Sequence, residues 1–455
     1  MTLVEEFADF AYATKIEPGD DAVRPELVRR LVDAVGCALG GMGGPTATAL
    51  RTLAQSRPIV DGGAHVWGSH IKTTPEVAAL VNSAAVRYLD YNDHIVGGHP
   101  SDNIPAIIAA CEDSGATAGD LLAATLVNYE VFGELGRLQV RDRGWDLGTT
   151  GATASACATG RALRLTRDQL ANGIAIAVTS HIAARKGRRG ALSMWKGLAT
   201  PYAAQCGLWA SYMARAGITG PWDAFEGPDG FWNQVTGKPF HIERLQTGVP
   251  WYLFTGNYKF WPVEFNAQLA VWLGLEIHAA LASSDIQSIV VETNAYGFSD
   301  IGSGPEKWDP KTRETADHSL PYVLSVAILR AGISLQDFTE AALADRERRA
   351  LMARIQVVKA DDLTDQFPAV YAMRARVRLV DDREFDFTVQ DPRGHNRNPM
   401  SNEELSSKFR ELSIGGPLEN RADELLAGLF TLDAGSDLSK VLAYLVPRPS
   451  SDQVD

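Results

Sequence analysis

Apolar side chains recur at helical spacing through most of the first 265 residues. Leu27, Leu31, Val35 and Leu39 stand four apart with Val28, Val32 and Ala38 beside them, which predicts an amphipathic helix over 24–39. Thr74-Pro75-Glu76 supplies an N-cap, a first-turn proline and a first-turn acid for a helix running to about Arg87. Thr166-x-x-Gln169 is a capping box that opens a helix over 167–180, and 201–215 reads as another, stopped at Gly217. After about residue 280 the period changes. Ile286–Thr293 and Arg354–Lys359 read as strands, and Ala375–Val380 and Glu384–Val389 alternate with period two around Asp381-Asp382, a hairpin signal. Residues 315–330 and 334–352 are helical between them, and helices return from Asn402. The pattern predicts a mainly α protein: a large all-helical domain over 1–268, closed by 396–455 returning to it, and a smaller α+β domain over 269–395. Arg448–Asp455 reads as a loose tail.

Composition narrows the function classes. Apolar residues make up 45% and charged residues 22% of the 455, an ordinary globular balance. The net charge of −13, with no long basic run, argues against nucleic-acid binding. No apolar stretch reaches the length of about 18 residues that a spanning helix needs, so no membrane partner is expected. The acidic start Met1-Thr-Leu-Val-Glu-Glu lacks the apolar core of a signal peptide, which points to the cytoplasm. Cys37, Cys111, Cys157 and Cys206 have no close neighbours in sequence, against a zinc ribbon, a redox pair or a disulfide scaffold.

The chain has no GxxxxGK[ST], HExxH or GxSxG. Gly40-Gly-Met-Gly43-Gly-Pro45 follows a helix where a dinucleotide loop would follow a strand, so it reads as a turn. The densest polar cluster is Leu89-Asp90-Tyr91-Asn92-Asp93-His94 with Gly97-Gly98-His99-Pro100-Ser101-Asp102-Asn103. Asp90 and Asp93 fall at a helix C-terminus, where the dipole disfavours an anion by about 0.3–1 kcal/mol each. A broken local rule is a functional hint. Ser101, Asp102 and Asn103 precede the apolar run 104–110 and read as caps of a new helix, whose free N–H groups would suit a carboxylate. The plainer reading is a capped, solvated loop. A second cluster, His181-x-x-x-Arg185-Lys186-Gly-Arg188-Arg189 followed by Ser193-Met194-Trp195-Lys196-Gly197, offers an anion seat or a solvated basic loop. Trp195 and the apolar helix that follows give Lys196 a setting that buries its amine. The third, Lys259-Phe-Trp-Pro-Val-Glu264-Phe-Asn266-Ala-Gln268, holds one lysine and one glutamate in an aromatic wall, as site groups or as a structural ion pair.

At these clusters the sequence resembles the MmgE/PrpD family, which includes 2-methylcitrate dehydratase, with cis-aconitate decarboxylase and iminodisuccinate epimerase as relatives. The carriers are LDYND at 89–93, HPSDN at 99–103, RGWD at 143–146, LSMWKG at 192–197, KFWPVEFNAQ at 259–268 and HSLPY at 318–322. The resemblance implies a helical domain closed by both termini, an α+β lid, a homodimer, and chemistry without a metal or iron–sulfur cluster. It places Asp90, His94, His99, Lys196, Lys259 and Glu264 on the family's active-site positions, with Tyr296 as a looser match. Two departures stand out. His94 occupies a position where LDYND is usually followed by Thr, and the loop from Asp93 to His99 is shorter than in the dehydratases. Trp145-Asp146 and Glu264 stand where the decarboxylase carries histidines.

Water loss from a β-hydroxy carboxylate needs a base at the α carbon, an acid at the leaving hydroxyl and cations for the enediolate. The expected catalytic set is Asp90 and His99 as acid/base pair in unfixed order, with Lys196, and His94 shaping substrate choice. Lys259, Glu264, Arg185, Arg188, Ser101 and Tyr296 are the expected substrate-binding residues, with no cofactor and no metal. Asp90, His99 and Lys196 are expected to converge, with Lys259 nearby, at the mouth between the two domains. The reading is a metal-independent hydro-lyase acting on a small polycarboxylate such as 2-methylcitrate. Alternatives are a decarboxylase or epimerase of a related acid, or a catalytically silent binding relative.

Overall fold

The computed structural model describes residues 1–16, 21–57, 62–188, 192–242, 245 and 251–448. Arg189 and all but the first residue of the expected tail lie outside them. Helices hold 59% of the protein and strands 9%, so the mainly α reading with a smaller α+β part holds. The chain divides into two compact units, Met1–Gly256 with the chain from Ser401 onward, and Asn257–Met400.

The first unit is built from α1 (Leu3–Ala13), α2 (Val23–Gly41), α3 (Pro45–Gln55), α4 (Pro75–Tyr88), α5 (Ile104–Ser114), α6 (Ala118–Gly136), α7 (Gly148–Ala162), α8 (Arg167–Ser180) and α9 (Trp195–Arg215). Among its described residues the paired strands are β1 (Ala64–His65) and β2 (Lys72–Thr73), which are antiparallel. The start signals act as read: Pro75 opens α4, and the Thr166 side chain accepts from the Gln169 N–H in a full capping box at α8. Gly44 and Pro45 end the glycine-rich turn and begin α3. α4 packs against α2, α5 and α9, and α7 lies against α6, α8 and α9.

α9 starts six residues earlier than its sequence suggests. Pro201 reads as a first-turn residue but sits inside the helix. The backbone bond it removes is offset by close packing of small residues. Ala199, Ala203, Ala204 and Gly207 are buried, and a Cβ on Gly207 would meet the Ala152 carbonyl oxygen of α7 at 2.5 Å.

In the second unit α10 (Ala267–Ala280) and α11 (Leu320–Arg330) pack on each other. Its sheet has the order β4-β3-β5-β6, from β3 (Ile286–Thr293), β4 (Ile355–Lys359), β5 (Ala372–Leu379) and β6 (Glu384–Gln390). β3 and β4 are parallel, and β3/β5 and β5/β6 are antiparallel. The β5–β6 hairpin turns where expected, with Asp382 at φ 69°. Met373, Ala375, Val377 and Leu379 face the core with Ile289 and Val291. The alternate residues Arg374, Arg376 and Arg378 pair outside with Glu292 and Asp362, with Asp386 and with Asp382. The continuous helix expected over 334–352 is broken into Leu335–Phe338, Glu340–Leu343 and Arg346–Met352. Thr339 and Asp345 each accept a backbone N–H as N-caps and restart the helix there.

The chain from Ser401 belongs with the first unit. α12 (Asn402–Ser413) opens on a Ser401–Glu404 capping box and lies along α2. Its buried Lys408 pairs with Asp33 of α2 at 2.8 Å and donates to the Tyr91 carbonyl at 2.8 Å. The C-terminal segment therefore holds the polar loop after α4.

Candidate active site

α4 ends at Tyr88, and Asp90 takes the left-handed position just beyond the cap with φ 49°. That position favours glycine or asparagine, and an anion there also opposes the helix dipole. The side chain is held by cations instead. Arg87, in the last turn of α4, pairs with Asp90 Oδ1, and Lys196 Nζ, in the first turn of α9, lies 3.4 Å from Oδ2. His99 Nε2 is 3.8 Å from Oδ1. Asp90, Lys196 and His99 are 2%, 5% and 7% exposed, so these charges interact largely out of water.

Between Asp90 and His99 the chain makes a tight turn. Ile95 and Gly98 exchange both backbone hydrogen bonds, at 2.8 and 3.0 Å, which sets the flanking His94 and His99 side by side with ring centroids 5.4 Å apart. α4 ends before His94, and the turn sets that residue beside His99. Gly97, at φ 90°, is needed there because a Cβ would lie 2.3 Å from Gly136 Cα.

His99 Nδ1 lies 2.6 Å from the Asp93 carbonyl oxygen. A carbonyl only accepts, so Nδ1 carries the proton and Nε2 is the nitrogen turned to Asp90. Asp93 is buried, and its carboxylate accepts from Tyr129 Oη (2.7 Å), Ser101 Oγ (2.5 Å) and Arg30 Nη1 (3.2 Å). Burial pushes its carboxyl up against the opposing pull of Arg30.

Asn103 stands at the N-cap position of α5, but neither it nor Ser101 nor Asp102 makes a side-chain capping bond. They form a 3-10 turn, Pro100–Asn103, and their polar groups turn inward. Ser101 accepts from Asn92 Nδ2 at 2.8 Å, and Asn103 donates to Asn128 Oδ1 at 2.7 Å. Asp102 accepts from Thr200 Oγ1 at 2.5 Å and Asn92 Nδ2 at 2.9 Å, with Arg87 Nε at 3.6 Å. Burial raises its carboxyl to about 6, countered by Arg87, Thr200, Arg188 and Asn92. The turn lies against α4, α5 and α9, and an inward network satisfies these buried groups where capping would have left them facing the core.

In the basic loop Arg188 grips the buried Asp146 at 2.6 and 3.3 Å, and Arg185 donates to the Arg141 carbonyl at 2.9 Å. Both arginines thus have partners within the first unit. In the second unit Lys259 is buried. Glu264 accepts the N–H groups of Asn266 (2.6 Å) and Ala267 (3.2 Å) at the start of α10, and its own N–H donates to the Asp317 carbonyl. His318 Nδ1 lies 2.5 Å from Asp317 Oδ1. Tyr296, half-exposed, leans on Phe367 with centroids 5.4 Å apart.

The first unit therefore brings together Asp90, His99, His94, Lys196 and, through Asp93, Ser101. Sequence reading missed Arg87, Asp102 as a side chain of this network, and Thr200. Arg87 resembles an ordinary C-terminal helix cation, and only the left-handed turn at Asp90 folds it back onto its neighbour. In this unit the carboxylates of Asp90, Asp93 and Asp102 each face a cation.

The protein combines a mainly helical architecture, an added α+β unit and a buried carboxylate–imidazole–ammonium group. The chain belongs to the MmgE/PrpD family: the family's N-terminal domain matches residues 5–243 and its C-terminal domain 261–427. The second match runs past residue 400 into α12, which packs in the first unit. The chain is 28% identical over 404 residues to a 2-methylcitrate dehydratase of Cupriavidus necator, covering 81% of each chain. It is 26% identical over 464 positions to a cis-aconitate decarboxylase of Aspergillus terreus, covering 95% of this chain and 93% of the other. A cis-aconitate decarboxylase of Homo sapiens is 25% identical, with 100% and 96% covered. These relatives are lyases. Among the described residues no helix is long and apolar enough to cross a membrane.

Proposed function

We propose that the protein is a metal-independent hydro-lyase that removes water from a small polycarboxylate such as 2-methylcitrate. The observation that carries this is the buried triangle in which Asp90 lies 3.4 Å from Lys196 Nζ and 3.8 Å from His99 Nε2. His99 Nε2 takes the proton α to a substrate carboxylate. Lys196 holds the negative charge that develops on that carboxylate as the enediolate forms. The imidazolium then returns a proton to the β-hydroxyl as the C–O bond breaks, so water leaves and the double bond forms. Asp90, paired with Arg87 and Lys196, is the counter-charge that stabilises the imidazolium between the two transfers. His94 bears on substrate choice. Lys259, Arg185 and Arg188 are assigned to the remaining carboxylates, and Ser101, Glu264 and Tyr296 to shaping the binding surface. These last assignments rest on the family resemblance and on charge.

A second reading is decarboxylation of a cis-aconitate-like acid, favoured by the longer span over which the decarboxylases align. Both reactions pass through a stabilised carbanion-like centre. Purified protein incubated with 2-methylcitrate, citrate, cis-aconitate and iminodisuccinate separates them. Formation of the unsaturated acid from 2-methylcitrate is expected, at a rate unchanged by exhaustive chelation. Carbon dioxide release from cis-aconitate instead selects the decarboxylase. No turnover of any of the four, or loss on chelation restored by zinc or iron, overturns the proposal.

The reading includes a cytoplasmic homodimer. Trp195, Tyr202 and Trp209, seven residues apart on α9 and all exposed, support an associating surface. Light scattering on the purified protein should give twice the 49.2 kDa chain mass, and a monomer at micromolar concentration would refute this part.

A further inference from the structure

Asp102 binds both elements that carry the charges around Asp90, and its own N–H donates to the His99 carbonyl at 3.1 Å. Arg87 Nε lies 3.6 Å from its Oδ2 while the same guanidinium pairs with Asp90. Thr200 Oγ1, one helical turn beyond Lys196 on α9, donates to that oxygen at 2.5 Å. Asn92 Nδ2 ties the other oxygen to the loop between Asp90 and His99 at 2.9 Å. One fully buried carboxylate thus links the end of α4, the loop and the first turns of α9. We propose that Asp102 is the positioning residue of the site, fixing Asp90 through Arg87 and Lys196 through Thr200, and so setting the electrostatic environment of His99.

Among the described residues of the first unit, each packed element contributes charges facing this group. α4 supplies Arg87, α9 Lys196, the turn after α8 Arg188, and the loop Asp90 and His99. Asp146 before α7 is occupied by Arg188; Arg30 and Asp33 of α2 act on Asp93, and Glu130 of α6 holds the Tyr252 and Leu253 N–H groups. Around Asp90 and Asp102 the two carboxylates balance Arg87 and Lys196. Asp102→Asn removes one negative charge and leaves Arg87 to Asp90 alone. The local excess of positive charge disfavours the His99 imidazolium, so its pKa should fall.

The inference rests on the roles given above to Asp90, His99 and Lys196, and its test has one arm that does not need turnover. Histidine-labelled protein is titrated by nitrogen NMR, with His99→Gln assigning the resonance. Asp102→Asn should lower the His99 pKa by about half a unit or more. In kinetics on 2-methylcitrate, Asp102→Asn and Thr200→Val should each lower kcat about tenfold or more, the cost of a displaced catalytic group. Thr200→Ser keeps the hydroxyl and should stay within about twofold of wild type by the same argument. If Asp102→Asn does not fold in a thermal melt, the Thr200 pair decides alone. An unmoved His99 titration, or Thr200→Ser as damaged as Thr200→Val, overturns the inference. Absence of turnover in the wild type, with the titration shifted as expected, defeats the hydro-lyase reading and leaves the positioning role standing.

Discussion

His99→Ala is expected to lower kcat for water removal about 10²–10⁴-fold, the usual contribution of one positioned proton-transfer group. The expectation follows from the fixed tautomer. Asp93 presents its carbonyl to Nδ1, and Asp93 is itself immobilised by Arg30, Tyr129 and Ser101, so Nε2 is the unprotonated nitrogen of the neutral ring. Asp90 could substitute only by breaking its contacts with Arg87 and Lys196. Loss of the ring leaves one buried carbonyl short of a partner, a cost of about 1–3 kcal/mol that should lower the melting temperature without abolishing the fold. KM should change much less than kcat, because the imidazole acts on the proton and Lys196 on the carboxylate. Steady-state kinetics beside a thermal melt checks this, and a kcat near wild type in a folded variant would remove His99 from the mechanism.

What the sequence revealed and what it hid have physical reasons. Local chemistry at element ends was legible: the Thr166–Gln169 box, Pro75 and the Asp381-Asp382 turn each act through neighbours within four residues. Pro201 misled because its local meaning, a helix start, was overridden by the tight packing of α9 on α7. Ser101, Asp102 and Asn103 misled for a related reason. Their residue types suit caps on a solvent-facing turn, but the turn is buried among neighbouring helices, so their partners lie elsewhere in the chain. The Asp90 anomaly at a helix C-terminus was visible as a broken rule. Its compensation was not, because Lys196 is 106 residues away and Arg87 reaches Asp90 only through the left-handed turn between them.

The same anomaly gives the site a measurable electrostatic signature. Asp90→Asn is the informative replacement, since asparagine adopts the left-handed backbone readily and keeps the size of the side chain. It removes the charge that Arg87 and Lys196 both face. Breaking a buried pair this way can cost about 3–5 kcal/mol, so a lower melting temperature is expected. On turnover the expected loss is again about 10²–10⁴-fold in kcat. The pH profile distinguishes a lost counter-charge from general damage. With Asp90 ionised, the His99 imidazolium is stabilised and its pKa held up; without it that pKa falls, by about one unit or more for a neighbouring charge. The neutral imidazole is the proposed base, so activity is lost below the His99 pKa, and the acid limb of kcat/KM should move to lower pH in Asp90→Asn. Asp102→Asn should move the same limb in the same direction but less, because its charge reaches His99 through Arg87. An acid limb that stays in place in Asp90→Asn, or moves to higher pH, would mean that Asp90 is not the counter-charge of His99, and the assignment of the pair would have to be reversed.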